Sequence, residues 1–315
     1  MNTTEGKFLY FYHGRPAHLR RPAPAFSLVE LLVALAIIAT TAGIMMPVLR
    51  NARNRAHAVR TMNNQRQIVI AVTSYAADNN GRYPQSIATI GSLQEYWNWQ
   101  EPTILTSLEA PDLREYRSVS AYLRSYIDDA RVMFCPNAPK QYKYLHQSWE
   151  AGDDWNNPDT PHDQDPVVGS YCFYWNYVGF IEGRNEVFKG PQDLSSGKGQ
   201  SKLLVSDYFG YGHWRNKLAY RTSKAYGSCE KFKSAGVTPG TSVSSDFWSY
   251  PEVDGDESLD TIEVDLHAGF TDGHIETYSP AETIPMQVSI TPDGGTPYPS
   301  QMGPGIFYLP QLALD

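Results

Sequence analysis

Residues 25 to 30 read Ala-Phe-Ser-Leu-Val-Glu and open an apolar run, Leu31 to Leu49, without a charged residue. Glu30 is therefore a lone carboxylate at the head of a membrane-compatible stretch. A charge at the bilayer centre costs about 2.5–3.5 kcal/mol on insertion scales, so such a group either finds a partner or snorkels to the headgroup boundary. Other oxygen-rich positions gather near Asp254, Asp256, Glu257 and Asp260, whose alternating carboxylates could wrap Ca2+. That loop lacks the Gly at the sixth position and the Glu at the twelfth that an EF-hand needs, so a solvated acidic loop is the simpler reading. Asp153, Asp154, Asp159, His162, Asp163 and Asp165 form a second acidic cluster with the composition of an exposed loop. His213 and His274 lack a ligand-spaced partner, which argues against zinc. No Gly-x-Ser-x-Gly, phosphate-cradling glycine loop or His-Glu-x-x-His occurs, so no enzyme activity and no cofactor beyond the Ca2+ candidate are expected.

The element that must position Glu30 is a long helix. Phe26 to Leu49 supplies 24 residues with one charge, and about 20 apolar helical residues span the ~30 Å hydrocarbon core. A secretory signal has a shorter apolar stretch followed by a small-x-small cleavage site; here the Ala-x-Ala of the run itself, Ala34 to Ala36, lies in its interior. Beyond it Ala52, Ala56, Val59, Met62, Val69, Val72 and Ala76 recur mostly three or four residues apart, so the helix continues. Asp78-Asn79-Asn80-Gly81 is its stop, with Gly as the terminating residue. The helix from Phe26 to Asp78 would be about 80 Å long.

This segment resembles the N-terminus of type IV prepilins and of the pseudopilins of type II secretion systems. In that family a membrane peptidase cuts between a small residue and Phe on the cytoplasmic side, and the new Phe amine is methylated. By position, the resemblance implies cleavage between Ala25 and Phe26, an assembly role for Glu30 and a helix-bending role for Pro47. Ala25 stands where the family usually has Gly. The implied partners are the prepilin peptidase and methylase, other pilin or pseudopilin subunits, and an inner-membrane assembly platform. A carboxylate buried in a filament is neutralised by the positive α-amine of a neighbour's Phe26, an opposite-charge pair in a low-dielectric bundle. Cleavage creates the cation that Glu30 needs.

The expected organisation is a cytoplasmic leader over 1–25, the long helix over 26–80 with its membrane span at about 26–49, and an extracytoplasmic head over 81–315. The leader carries Lys7, Arg15, Arg20 and Arg21 against Glu5, yet Arg50, Arg53, Arg55 and Arg60 follow the apolar run. Charge counting thus leaves the orientation open; the resemblance implies a single pass in the inner membrane, leader inside and head periplasmic, before entry into a pilus or pseudopilus. The roughly 235 residues of the head are enough for a sizeable core. A net charge of −8 argues against nucleic acid as a partner. Twenty-one Tyr, 7 Trp, 22 Pro and 24 Gly point to β-rich structure with many turns.

The expected fold is α+β, the second half of the helix packed on an antiparallel sheet. Helical patterning covers Ser118 to Asp129. Strand patterns cover Arg131 to Phe134, Ser170 to Phe180, Lys202 to Tyr208, Thr261 to Leu266 and His274 to Tyr278. The tail from Pro280 to Pro310 holds seven prolines and reads as an extended wrapping segment. Cys135, Cys172 and Cys229 allow at most one internal disulfide, in any of three pairings, or none.

Three further motifs resemble large prepilin-like proteins of planctomycete-type bacteria. They are Asn63-Asn64-Gln65-Arg66-Gln67-Ile68, then Phe134-Cys135-Pro136, then Phe270-Thr271-Asp272-Gly273-His274. The family's Cys before the paired Asn is absent, and His267 lies closer to Asp-Gly than the family's His does. Physically, Asp272-Gly273 between two strand patterns is a hairpin turn signal. The competing function is a membrane-tethered glycan-binding module using Trp97, Trp99, Trp149, Trp155, Trp175, Trp214 and Trp248 as stacking platforms; exposed Trp rings on one face would favour it, and burial would count against it.

Overall fold

The computed structural model describes residues 27–88, 102–106, 117–136, 144–155, 157, 159–160, 167, 169–181, 187–195, 199–209, 265–288 and 305–314. The architecture is α+β: a long N-terminal helix, two short helices and two antiparallel sheets. The chain divides into two units, Met1–Arg50 and Asn51–Asp315.

Helix α1 (Leu28–Asp78) supplies the described part of the first unit and the first element of the second. Residues 27–49 are exposed throughout, and the helix is long and apolar enough to cross a membrane by length and composition. The hydroxyls of Thr40 and Thr41 in this stretch need no external partner. Thr40 donates to the carbonyls of Ala36 and Ile37, and Thr41 to those of Ile37 and Ile38, the local satisfaction that a polar group in hydrocarbon requires. Pro47 lies inside the helix without breaking it. Its missing N–H deprives the Gly43 carbonyl, four residues back, of the usual donor.

In the second unit α1 becomes amphipathic. Thr61, Asn64, Gln65, Ile68, Val69, Val72 and Ala76 are buried, while Val59, Asn63, Arg66, Gln67 and Ile70 are exposed. The helix ends where the sequence indicates, but the left-handed residue after the cap is Asn80 (φ 55°) as well as Gly81 (φ 79°). The Gly81 N–H bonds back to the Ala76 carbonyl at 2.8 Å, closing a Schellman-type cap.

Short elements follow: α2 (Val119–Leu123) and α3 (Leu145–Ala151). The helical pattern over 118–129 thus yields only five helical residues. Between them, Ala130–Met133 is a 3-10 turn, not the strand its apolar residues suggest. The Asp129 carboxylate is the reason, since it accepts the Arg131 N–H at 2.9 Å and caps the turn.

The strands are β1 (Tyr171–Phe173), β2 (Val178–Ile181), β3 (Val187–Lys189), β4 (Leu203–Asp207), β5 (Leu266–Phe270), β6 (Ile275–Tyr278), β7 (Thr283–Val288) and β8 (Gly305–Pro310). The single strand expected over 170–180 is therefore two, separated by a turn in which Asn176 has φ 51°. Of the strand expected over Thr261 to Leu266, residues 261–264 lie outside the described residues, and β5 begins at Leu266. One sheet has the order β1-β4-β5-β6 and the other β3-β2-β7-β8. The proline-bearing tail is not wholly a wrapping segment, because β7 and β8 pair over six residues.

The central strands of the first sheet are covered on both faces, which explains why β4 and β5 are buried at every position while the edge strand β6 is largely exposed. One face packs with Ile68, Val69 and Val72 of α1, together with Leu123, Met133 and Trp149. The other lies in a second cluster with Tyr177, Phe188, Tyr208, Phe209 and Met286. Gly269 permits the close approach of α1, since a Cβ there would lie 2.9 Å from Val69 Cγ2 and 3.0 Å from Val205 Cγ1.

Candidate functional site

At the start of α1, Ser27 and Glu30 bind each other's backbone. The Ser27 N–H donates to Glu30 Oε2 at 2.8 Å, and the Glu30 N–H donates to Ser27 Oγ at 3.2 Å. Two of the N–H groups that a helix start leaves without partners are thereby satisfied, the reciprocal pattern of a capping box. The carboxylate also sits at the positive end of the helix dipole. This role was readable locally, because Ser-x-x-Glu ahead of an apolar run is a capping signature. Within a single chain Glu30 is thus held by its own helix end and is exposed. Ala25 and Phe26 lie outside the described residues, and Pro47 sits in the exposed apolar part of α1.

In the second unit, two of the three motifs meet. The Asn64 side-chain amide donates to the Phe134 carbonyl at 3.1 Å and reaches the Tyr171 hydroxyl at 3.3 Å. Thr61 Oγ1 lies 3.2 Å from Cys135 Sγ, and the Cys135 N–H donates to Ser170 Oγ at 2.5 Å. Pro136, half-exposed, leads away from this junction. One turn of α1 thereby carries the polar groups that anchor the Phe134-Cys135 segment to the first sheet.

Beside them, Gln65 Nε2 donates to Asp207 Oδ1 at 3.0 Å and to the His267 carbonyl at 3.1 Å. Asp207 Oδ2 accepts the His267 backbone N–H at 2.8 Å and faces His267 Nδ1 at 2.9 Å. Both residues are buried, Asp207 fully. Burial opposes a charged imidazole, but the Asp207 hydrogen bond and the charges of Asp207 and Asp265 prevail and raise the His267 pKa above its ordinary value. Gln65 falls within the Asn-Asn-Gln-Arg-Gln-Ile motif, but the sequence offers it no partner and nothing in it marks Asp207. No local signal marks their pairing.

Asp272-Gly273 forms the turn between β5 and β6, with Gly273 at φ 89°. The Gly273 N–H donates to the Phe270 carbonyl at 2.9 Å, and Asp272 Oδ1 accepts the His274 backbone N–H at 3.1 Å. The His274 ring stacks on Phe270 with centroids 4.5 Å apart and planes inclined by 4°. His274 Nδ1 also lies 2.5 Å from Asp272 Oδ1, and this bond, with the neighbouring charge, lowers the Asp272 pKa. The Asp-Gly-His motif is therefore a locally braced, exposed hairpin tip.

Several other candidates have different settings. Asp254, Asp256 and Asp260 lie outside the described residues, as do Cys229, His162, His213, Trp97, Trp99, Trp214 and Trp248. Asp153 is tied to its neighbours, accepting the Ser118 N–H at 2.8 Å and pairing with Arg117 at 3.0 Å. Among the described residues no group of His, Cys, Asp and Glu is placed to hold a metal. Trp149, Trp155 and Trp175 are all buried core residues and offer no stacking platform. Cys135 and Cys172 are both buried, and neither is in a disulfide.

Residues 20–46 match the family model described as the prokaryotic N-terminal methylation motif. No curated protein and no solved structure matches the chain. The matched range contains Ala25, Phe26 and Glu30 together with the start of α1. The N-terminal segment is thus that of the prepilin-type cleavage and methylation family.

Proposed function

We propose that this protein is a prepilin-like structural subunit, cut between Ala25 and Phe26, methylated on the Phe26 amine, and built through α1 into a type IV pilus or a type II secretion pseudopilus. The methylation motif at the head of a long helix whose apolar stretch, residues 28–49, is exposed throughout carries this reading. The subunit waits in the inner membrane as a single-pass protein with its leader inside and its head in the periplasm. Its partners are the prepilin peptidase and methylase, other pilin or pseudopilin subunits, and the assembly platform.

Glu30 supports the reading through its two states. In the single chain its carboxylate caps its own helix. In the filament it gains the cationic amine of a neighbour's processed Phe26, an ion pair worth more in a low-dielectric bundle than in water. Processing and assembly are coupled by charge. The test is mass analysis of the N-terminus from native cells. A chain starting at methylated Phe26 is expected; an intact leader, or a start after Ala42, would overturn the reading. Glu30→Ala should still insert into the membrane but fail to assemble, and normal filaments from that variant would contradict the role assigned to the charge.

A further inference from the structure

We propose that Arg53, Arg55 and Arg60 form a cationic collar that binds the phosphates of anionic phospholipids where α1 leaves the bilayer. The inference rests on the reading of residues 26–49 as a membrane span and adds the class of lipid that the emerging helix selects. From Leu31 to Ala77 the chain has no Asp or Glu, although its net charge is −8. The same stretch holds five arginines, Arg50, Arg53, Arg55, Arg60 and Arg66, and no lysine. A helix that simply faces water usually mixes both signs along its surface, through pairs three or four residues apart. This one does not.

Arg53, Arg55 and Arg60 are exposed, and none of the ion pairs among the described residues includes them. Their placement around the helix matters as much as their sign. At about 100° per residue, Arg53 and Arg60 fall two turns apart on one flank, while Arg55 falls nearly opposite. A stripe would suit one protein face, whereas charges on opposed flanks suit a medium that surrounds the helix. At ~1.5 Å per residue, Arg53 and Arg55 follow Leu49 by about 6 and 9 Å, within a Debye length of an anionic surface, and Arg60 by about 16 Å. Long arginine side chains reach back along such a helix, and the guanidinium fork matches phosphate with two parallel hydrogen bonds. Arg66, about 25 Å beyond Leu49, lies out of reach and serves as the internal control.

The test uses the full-length chain reconstituted in vesicles of equal parts phosphatidylcholine and phosphatidylglycerol. The protein is extracted in mild detergent and its retained lipids are counted by mass spectrometry. Each arginine near an anionic surface is worth roughly a fivefold preference. The ratio of phosphatidylglycerol to phosphatidylcholine among the retained lipids should therefore exceed the bulk ratio at least about fivefold, less so in high salt. The enrichment should fall at least about fivefold in R53Q/R55Q/R60Q, where Arg50 remains, and persist undiminished in R66Q. Resistance to alkaline extraction, read on the same samples, reports insertion separately. A chain released by alkali refutes the span and the collar with it. A chain that stays inserted but retains lipid at the bulk ratio overturns the collar alone. Undiminished enrichment in the triple variant also overturns it; if that variant instead loses cross-links between copies, the arginines belong to the acidic head of a neighbouring subunit.

Discussion

Between Leu28 and Leu49 every residue of α1 is exposed and only Glu30 is charged, whereas between Thr61 and Ala76 the helix buries one face that includes Thr61, Asn64 and Gln65. The apolar half has no core against it in the single chain. The polar-bearing half does. In the first half the hydroxyls of Thr40 and Thr41 are satisfied by the helix's own carbonyls, as surroundings without hydrogen bonds demand. In the second half Asn64 and Gln65 reach groups on β1, β4 and β5, and on the Phe134 turn. Helix polarity thus follows what each face meets, and a buried amide is tolerable where partners are supplied.

The contrast can be broken most forcefully at Asp207. Asp207→Ala leaves the His267 N–H and the His267 ring without their acceptor and the Gln65 amide with only the His267 carbonyl, and should destabilise the head by about 4 kcal/mol. Denaturation of the full chain in detergent, followed by the fluorescence of buried Trp149, Trp155 and Trp175, reads this; a loss below ~1 kcal/mol would show that the seam is not structural. Next in size, Ile68→Ala opens a cavity at a fully buried position of α1 and should cost about 3 kcal/mol in the same assay.

A smaller effect follows from His267, whose folded pKa lies above its ordinary value of about 6.5. A raised pKa means that the charged form favours the fold. Its contribution is complete below about pH 6.5 and fades as pH rises through the raised folded value. Denaturation midpoints between pH 5 and 9 should therefore fall on the alkaline side. His267→Gln should flatten that slope, and an unchanged profile would remove the charged imidazole from the account. The smallest effect belongs to the first half of α1. Leu35→Ala, exposed in the single chain, should change the head's stability by no more than ~0.5 kcal/mol; a cost like that of Ile68→Ala would erase the distinction between the halves.

Much of α1 was legible because its signals are local. The charge-free run, the three- and four-residue spacing and the Asn-Asn-Gly stop all act within a few residues of the positions they define. The left-handed position went to Asn80 as well as Gly81 because Asn tolerates that region better than most residues with side chains. The strand pattern at Arg131–Phe134 misled because the Asp129 carboxylate offers the backbone a nearer partner than any sheet. The tail pattern misled in another way. Its prolines weaken strand signals, yet β7 and β8 pair because each finds an antiparallel partner.

The sequence alone determined the N-terminal motif: small residue, Phe, a carboxylate in the first turn and an apolar helix are contiguous, and contiguous features need no fold to meet. It also announced the Asp272-Gly273 turn, since a tight turn is written in its own few residues. Only the tertiary structure decided what Gln65, Asp207 and His267 do. Gln65 lies 142 residues from Asp207 and 202 from His267 along the chain. Their hydrogen bonds form because two strands of one sheet pair side by side and α1 crosses them. A buried polar pair has no periodicity of its own; it exists only where packing removes water and leaves the two groups to satisfy each other.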